Sequence, residues 1–372
     1  PRRQGPCGLP WTLSLRHRRQ LLMNASEDPR RALAEDWLTQ QATALAGLGW
    51  SVDPASLTAA SSDASFRRYF RITGQRGGQS QCLILMDAPP EKESIGPFIK
   101  IATLLRQAGV NAPNIWRHDA GQGFLLCDDF GVTTYATAIE RRQHDAAACA
   151  PLYRDAHQAL VRLQRFSLQQ PSASEVAGLV AYDRNKMLQE MQLFDQWFLV
   201  HHRPIALSAS DREMLVNTYD LILDACQAQP VALVHRDYHS RNLMLTEHSS
   251  PGILDFQDAV LGPISYDLVS LLRDAYIEWP EEIQLDWAID YWEQARKAEL
   301  PIAQDFSDFW RDFEWMGLQR QLKVLGIFCR LNFRDGKPNY LNDIPRVLRA
   351  AISTCRRYQG LGPLAKLLER CV

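Results

Sequence analysis

From Asp28 to Leu48, apolar Leu33, Trp37, Leu38, Ala44, Leu45 and Leu48 recur at helical spacing and Gly49 closes the run, which predicts an opening helix. The period then shortens. Phe66 to Ile72 and Cys82 to Met86 are short apolar runs with Thr73, Gly74, Gly77 and Gly78 between them, the pattern of a hairpin. A helical run from Ser94 to Gln107 is followed by two more strand-like pieces, Asn114 to His118 and Phe124 to Cys127, around Gly121 and Gly123. Beyond Thr133 helix spacing dominates: 135–166, 182–202, 211–228, 266–277, 281–300, 306–330 and 343–368. Only Val231 to Val234, Leu243 to Leu245 and Ile253 to Phe256 read as strands there. An α+β chain is implied, with a small antiparallel β-rich N-lobe and a larger, mainly helical C-lobe. The polar stretch Pro171 to Val176 reads as a surface loop.

Composition changes this picture little. The chain has 372 residues, 46% hydrophobic and 23% charged, enough for substantial cores. Charge adds more. Five arginines (Arg2, Arg3, Arg16, Arg18, Arg19) and no acid fall in residues 1–22, so with a formal net charge of −2 the remainder is mildly acidic. It lacks the clustered positive field that binding a phosphate backbone needs, which excludes nucleic acid as the expected partner. The eight cysteines are scattered, without CxxC pairs or metal-ligand spacing, as expected of reduced thiols in the cytoplasm. No run approaches the ~18 apolar residues of a membrane span. The short apolar piece Leu9 to Leu15 precedes the arginine cluster, the reverse of a secretory signal. Residues 1–22 are therefore expected to be a disordered or non-native leader, with Met23 a candidate start.

Chemistry concentrates in LVHRDYHSRNLMLTEHSSPGILDFQD, Leu233 to Asp258. Phosphoryl transfer needs a carboxylate near the acceptor hydroxyl and oxygen ligands for the magnesium that bridges the phosphates. Asp237, Asn242 five residues on, and Asp255 supply those three groups, and Mg²⁺ accepts one amide oxygen and one carboxylate while keeping waters.

HRDxxxxN followed by DFQ resembles the catalytic and metal-binding loops of protein-kinase-like enzymes. The resemblance implies that Asp237 accepts or orients the substrate hydroxyl proton, that Asn242 and Asp255 bind Mg²⁺, and that His235 braces the loop. Protein kinases place lysine two residues after the catalytic aspartate, where this chain has His239. Asp237, His239 and Asn242 are instead similar to the aminoglycoside and choline kinase families. Gln257 replaces the glycine of DFG, no APE motif follows, and there is no room for an activation segment before Tyr266-Asp267-Leu268. That run resembles the helix start at which the same families tie an aspartate back to the catalytic loop, which implies a structural Asp267.

The β-lobe departs from the kinase pattern. The candidate phosphate loop, Ser61-Ser62-Asp63-Ala64-Ser65, has no glycine, and Met86 stands where the strand lysine is expected. Backbone amides at Ser61 and Ser62 could still cradle phosphate, with Arg68, or else Arg67 or Arg71, supplying charge; alternation along the strand does not choose among them. Residues 126–131 are expected as the hinge between an N-lobe (23–125) that binds nucleotide and a C-lobe (132–372) that binds substrate. The resemblance puts Leu126, Cys127 and Asp128 beside adenine.

Longer stretches, among them DASFRRYFR, LLCDDFG, FDQWFL, SYDLVSLLRDAY and WMGLQRQLKVLGIF, extend the likeness from about residue 28 to 368. Together they resemble the N-acetylmuramate/N-acetylglucosamine anomeric kinases of Gram-negative bacteria, which use ATP to make the sugar 1-phosphate for peptidoglycan recycling. By that resemblance ATP and Mg²⁺ are the cofactors, and a monomer acting on a small sugar is expected. For sugar contacts, His239 and Arg241 in the loop, Glu190 on the 182–202 helix and Arg320 on the 306–330 helix are the candidates, a lactyl carboxylate calling for an arginine. Arg273 and Asp274 follow on the helix after the metal loop. The alternatives are a kinase for an aminoglycoside or amino alcohol, or a nucleotide-binding pseudokinase, which Met86 and the absent glycine loop would suit.

Overall fold

The computed structural model describes residues 28–62, 66–170, 172 and 178–372. The leader, Met23, Asp63 to Ser65 and nearly all of the 171–176 stretch lie outside them, as do the side chains of Ser61 and Ser62. The chain divides into two compact units, one running to Ile95 and taking in Ile115–Asp129, the other comprising Gly96–Asn114 and Phe130–Val372.

The first unit opens with helix α1, Pro29–Gly47. Asp28 caps it by accepting from the Arg30 and Arg31 amides at 3.1 and 3.2 Å, and Pro29 occupies the position where a missing N–H costs nothing. Strands β1 (Trp50–Val52), β2 (Thr58–Ser62), β3 (Arg68–Arg76), β4 (Gln79–Asp87), β5 (Ile115–Asp119) and β6 (Phe124–Asp128) form one antiparallel sheet. Its order is β1-β3-β4-β6-β5, with β2 also on β3. Arg76 pairs with Gln79 across Gly77 and Gly78, whose positive φ angles of 58° and 79° make the tight turn that only glycine adopts readily. Ala34, Trp37, Leu38 and Leu45 of α1 join Phe70, Ile72, Leu83, Leu85, Phe124 and Leu126 in one core. β1 and β2 are strands the periodicity did not predict.

In the second unit, helix α2 (Gly96–Gln107) contributes Phe98 to a ring contact of 4.7 Å with Phe256. The backbone of Asn111 bonds Ile253 at 2.8 Å. These contacts group Gly96–Asn114 with the second unit, not with the N-lobe expected over 23–125. The predicted 135–166 helix is two: α3 (Tyr135–Arg141) and α4 (Ala146–Gln169). Gln143 and His144 take positive φ between them, and Asp145 caps the second. The 182–202 run becomes α5 (Arg184–Leu193) continuing as a π-helix, Phe194–His202. Helix α6 (Ala209–Gln227) leads into β7 (Val231–Val234), then come β8 (Leu243–Met244), β9 (Gly252–Ile253) and β10 (Val260–Pro263), with β10 antiparallel to β7 and β9 to β8. Helices α7 (Tyr266–Leu272), α8 (Glu281–Lys297), α9 (Phe306–Phe333), α10 (Ile344–Arg357) and α11 (Gly362–Glu369) complete it. The predicted 343–368 helix breaks at Gly360, φ +89°.

Helix α9 is the buried axis of this unit, with nearly every residue from Phe313 to Cys329 out of solvent. Its Gly326 lies against the junction of α5 and the π-helix. A Cβ there would sit 2.3 Å from the Leu193 carbonyl carbon and 2.4 Å from its oxygen. Backbone cannot move aside as a side-chain tip can, so Gly326→Ala is expected to cost about 3 kcal/mol, the upper part of the overpacking range. Urea unfolding measures it; an unchanged midpoint would mean that the junction yields freely.

Candidate active site

The site is built on the loop that leaves β7. At the start of α7 the fully buried Asp267 carboxylate accepts the amides of His235 at 2.6 Å and Arg236 at 3.0 Å. Those bonds hold Arg236 at φ +79°, a left-handed conformation that side chains rarely adopt. Burial raises the Asp267 carboxyl to about 7, against the pull of the two amides. His235 is also fully buried. Its Nδ1 accepts the Asp237 amide at 3.3 Å, so the proton belongs on Nε2, which donates to the Leu254 carbonyl at 3.0 Å. Burial lowers its pKa to about 4, leaving a neutral ring that ties the catalytic loop to the segment carrying Asp255.

Asp237, Asn242 and Asp255 come together. The Asn242 amide nitrogen donates to the Asp237 carbonyl at 3.0 Å and to Asp255 Oδ2 at 3.2 Å, which turns Oδ1 the other way. The backbone closes the same turn, Leu254 N–H bonding the Asn242 carbonyl at 3.0 Å. Asp255 has φ +61°, a second left-handed residue in the site. Gln257, in the position of the expected glycine, donates to Asp255 Oδ1 at 2.7 Å and fixes the carboxylate. The half-buried Asp237 carboxylate makes no hydrogen bond among the described residues. Burial acts to raise its pKa, but Lys323, His239 and Arg320 outweigh it and hold the group below the ordinary aspartate value.

Behind the loop lies a charged cluster that no motif announces. Glu190, expected to touch sugar, is instead buried against Arg236, Tyr182 and Lys323, the last at 3.0 Å. Three donors already claim its carboxylate, which makes it the anchor of a buried network. Lys323 also donates to the Tyr266 hydroxyl at 2.9 Å, and Gln319 to the Tyr182 hydroxyl at 3.0 Å. On another side, Asp274 accepts from the Ser240 amide at 3.0 Å and the Ser240 hydroxyl at 2.5 Å. His239 is buried edge-on to Tyr276, and the exposed Arg241 stacks over the same ring at 3.5 Å. Arg320 is buried.

In the first unit the expected phosphate contacts are placed differently. Arg68 is held by Asp87 and Asp28, the fully buried Asp87 also taking Arg30. Arg67 pairs with Glu93 and Arg71 with Asp129. None of the three arginines is a bare cation, because each pairs with a carboxylate. Met86 is fully buried between Tyr69 and Leu125. The backbone of Ser61 and Ser62 is already paired with Tyr69 and Arg68 in β2. Leu126 and Cys127, expected beside adenine, are paired with β4 on one side and β5 on the other, so the chain leaves the sheet only after Asp128.

The model of the phosphotransferase enzyme family matches residues 56–306. An N-acetylmuramate/N-acetylglucosamine kinase of Neisseria meningitidis serogroup B is 48% identical over 316 residues, covering 85% of this chain and 90% of that protein. One from Pseudomonas putida is 41% identical over 334 residues, covering 89% and 94%. Among solved structures, the ethanolamine kinase of Plasmodium vivax superposes with a TM-score of 0.54 at 11% identity, covering 80% of this chain and 83% of that one. The likeness shows a two-lobed α+β architecture of the protein-kinase type.

Proposed function

Because the chain belongs to the phosphotransferase enzyme family and is a sugar kinase, we propose that it moves the γ-phosphoryl group of ATP to the anomeric hydroxyl of N-acetylmuramate, N-acetylglucosamine or both. The observation that carries the reading is the joint anchoring of Asp237, Asn242 and Asp255 by a single side-chain amide. Acceptor identity rests on the relatives at 41–48% identity. Asp237, ionised and with its carboxylate in no hydrogen bond among the described residues, takes or orients the anomeric proton as the phosphoryl group arrives. Asn242, whose amide bonds the Asp255 carboxylate, and Asp255 itself carry hard oxygen donors of the kind that Mg²⁺ would take with waters completing its shell. When bound, magnesium would neutralise charge on the phosphate oxygens. His235 and Asp267 hold the loop in place while this happens.

The first unit would then hold nucleotide and the second the acceptor, in a monomer acting in the cytoplasm, where ATP is available. The product, a sugar 1-phosphate, suits a role in peptidoglycan recycling. No helix among the described residues is long and apolar enough to cross a membrane. An ADP-release assay over N-acetylmuramate, N-acetylglucosamine, aminoglycosides and choline, with and without Mg²⁺, tests the reading. Turnover of the two amino sugars, an acid-labile phosphate product and loss of activity with EDTA are expected. Turnover confined to the cationic alcohols would overturn the assignment of the acceptor.

A further inference from the structure

Beside the catalytic loop a recess opens between α9, α10 and the turn after α7, lined among others by Arg273, Asp274, Arg320, Gln321 and Arg346. It offers about 60 Å³ to water, room for a small substituent and too little for a sugar ring. Most of its charges are spent. Arg273 bonds Glu314 at 2.8 Å, Arg346 bonds Asp343 at 3.1 Å and the Ala275 carbonyl at 2.6 Å, and Asp274 holds Ser240. Arg320 differs. It is only 6% exposed, yet makes no hydrogen bond or ion pair with any described residue. Next to it Gln321 is 4% exposed, and neither atom of its amide has a partner.

An arginine this little exposed with no hydrogen-bonded counter-ion, its charge met only at longer range by Asp237, and a buried amide with both ends unmet suit an anionic guest that also hydrogen-bonds. The position agrees with a role in acceptor recognition. The recess wall is tied to the catalytic loop through Asp274 and Ser240, three residues after Asp237, and the Arg320 charge is felt at both Asp237 and His239.

We propose that this recess takes the acidic substituent of the acceptor sugar: Arg320 pairs with the carboxylate of the lactyl ether of N-acetylmuramate, and Gln321 bonds the same group. The inference rests on the amino-sugar kinase reading above and makes these two residues the determinants of preference for N-acetylmuramate over N-acetylglucosamine.

Two arms test it. In the unaltered enzyme, methyl esterification of the N-acetylmuramate carboxylate is expected to lower kcat/KM about 10- to 100-fold, the range of a charge-assisted bond, mostly through KM. In Arg320→Met the ratio of kcat/KM for N-acetylmuramate to that for N-acetylglucosamine should fall by a similar factor. The ester should then lose nothing further, Arg320→Lys should recover part of the ratio, and Gln321→Leu should lower it about threefold or more. An ester as good as the acid, or a ratio unchanged in Arg320→Met, overturns the subsite while leaving the amino-sugar kinase reading intact. Failure of the unaltered enzyme to phosphorylate either sugar overturns both.

Discussion

Asp237→Asn is expected to slow phosphoryl transfer at least ~10²-fold, the lower end of what a positioned general base contributes, with nucleotide affinity within about twofold. The substitution keeps the shape of the side chain. It also leaves intact the backbone bonds through which Asp237 joins His235, His239 and Asn242. Its carboxylate has no other bond to lose among the described residues, so a large defect reports on the acceptor hydroxyl and not on folding. ADP release with saturating sugar measures the rate, and thermal unfolding with and without ATP confirms the fold and the nucleotide site. A variant retaining a tenth of the activity would remove Asp237 from the reacting atoms. The pH profile is a second check. Lys323, His239 and Arg320 hold the Asp237 pKa down despite burial, so the ionised form is present above that lowered value and is lost only as pH falls through it. The acid limb of kcat should therefore lie below the range of an ordinary aspartate.

The residues that assembled as expected are those whose roles depend on near neighbours in sequence. Asp237, Asn242 and the following Asp255 lie within 19 positions of one another, and β7 appears with the limits its apolar run suggested. Val260–Pro263 was not legible as a strand, since Gly262 and Pro263 both argue against one; it exists because β7 needs a partner. The break near Gln143 carries no glycine or proline and is made by the Asp145 cap instead. Glu190 and Arg68 were misplaced for a different reason. A charged side chain on a helix or strand looks the same in sequence whether it meets substrate or a buried counter-ion, and Arg236, Lys323 and Asp87 come from distant positions. One signal for the missed cluster was present. Gln319, Arg320, Gln321 and Lys323 fall within the apolar run of α9, and a helix buried on all sides must satisfy such groups internally or with a ligand.

That requirement makes Glu190→Gln the largest expected loss of stability, about 3–5 kcal/mol. The buried Glu190 carboxylate is the shared counter-ion of Arg236 and Lys323 and the acceptor for Tyr182. Glutamine keeps the volume and removes the charge, leaving two cations out of water with no anion between them. For a unit of this size the midpoint of thermal unfolding should fall by roughly 6–15 °C. Activity should fall as well, through kcat more than KM, because Arg236 adjoins Asp237 and its guanidinium bond to Glu190 adds to the Asp267 bond that holds its backbone at φ +79°. Removing one cation along with the charge tests whether electrostatics is the cause. Glu190→Gln combined with Lys323→Met should be more stable than Glu190→Gln alone, since a single buried cation remains instead of two. If the double variant is instead less stable by the sum of the separate losses, the residues are independent packing contributions and the network is not coupled. If Glu190→Gln melts within a degree or two of the unaltered protein, water reaches the cluster and the loop owes its rigidity to Asp267 and His235 alone.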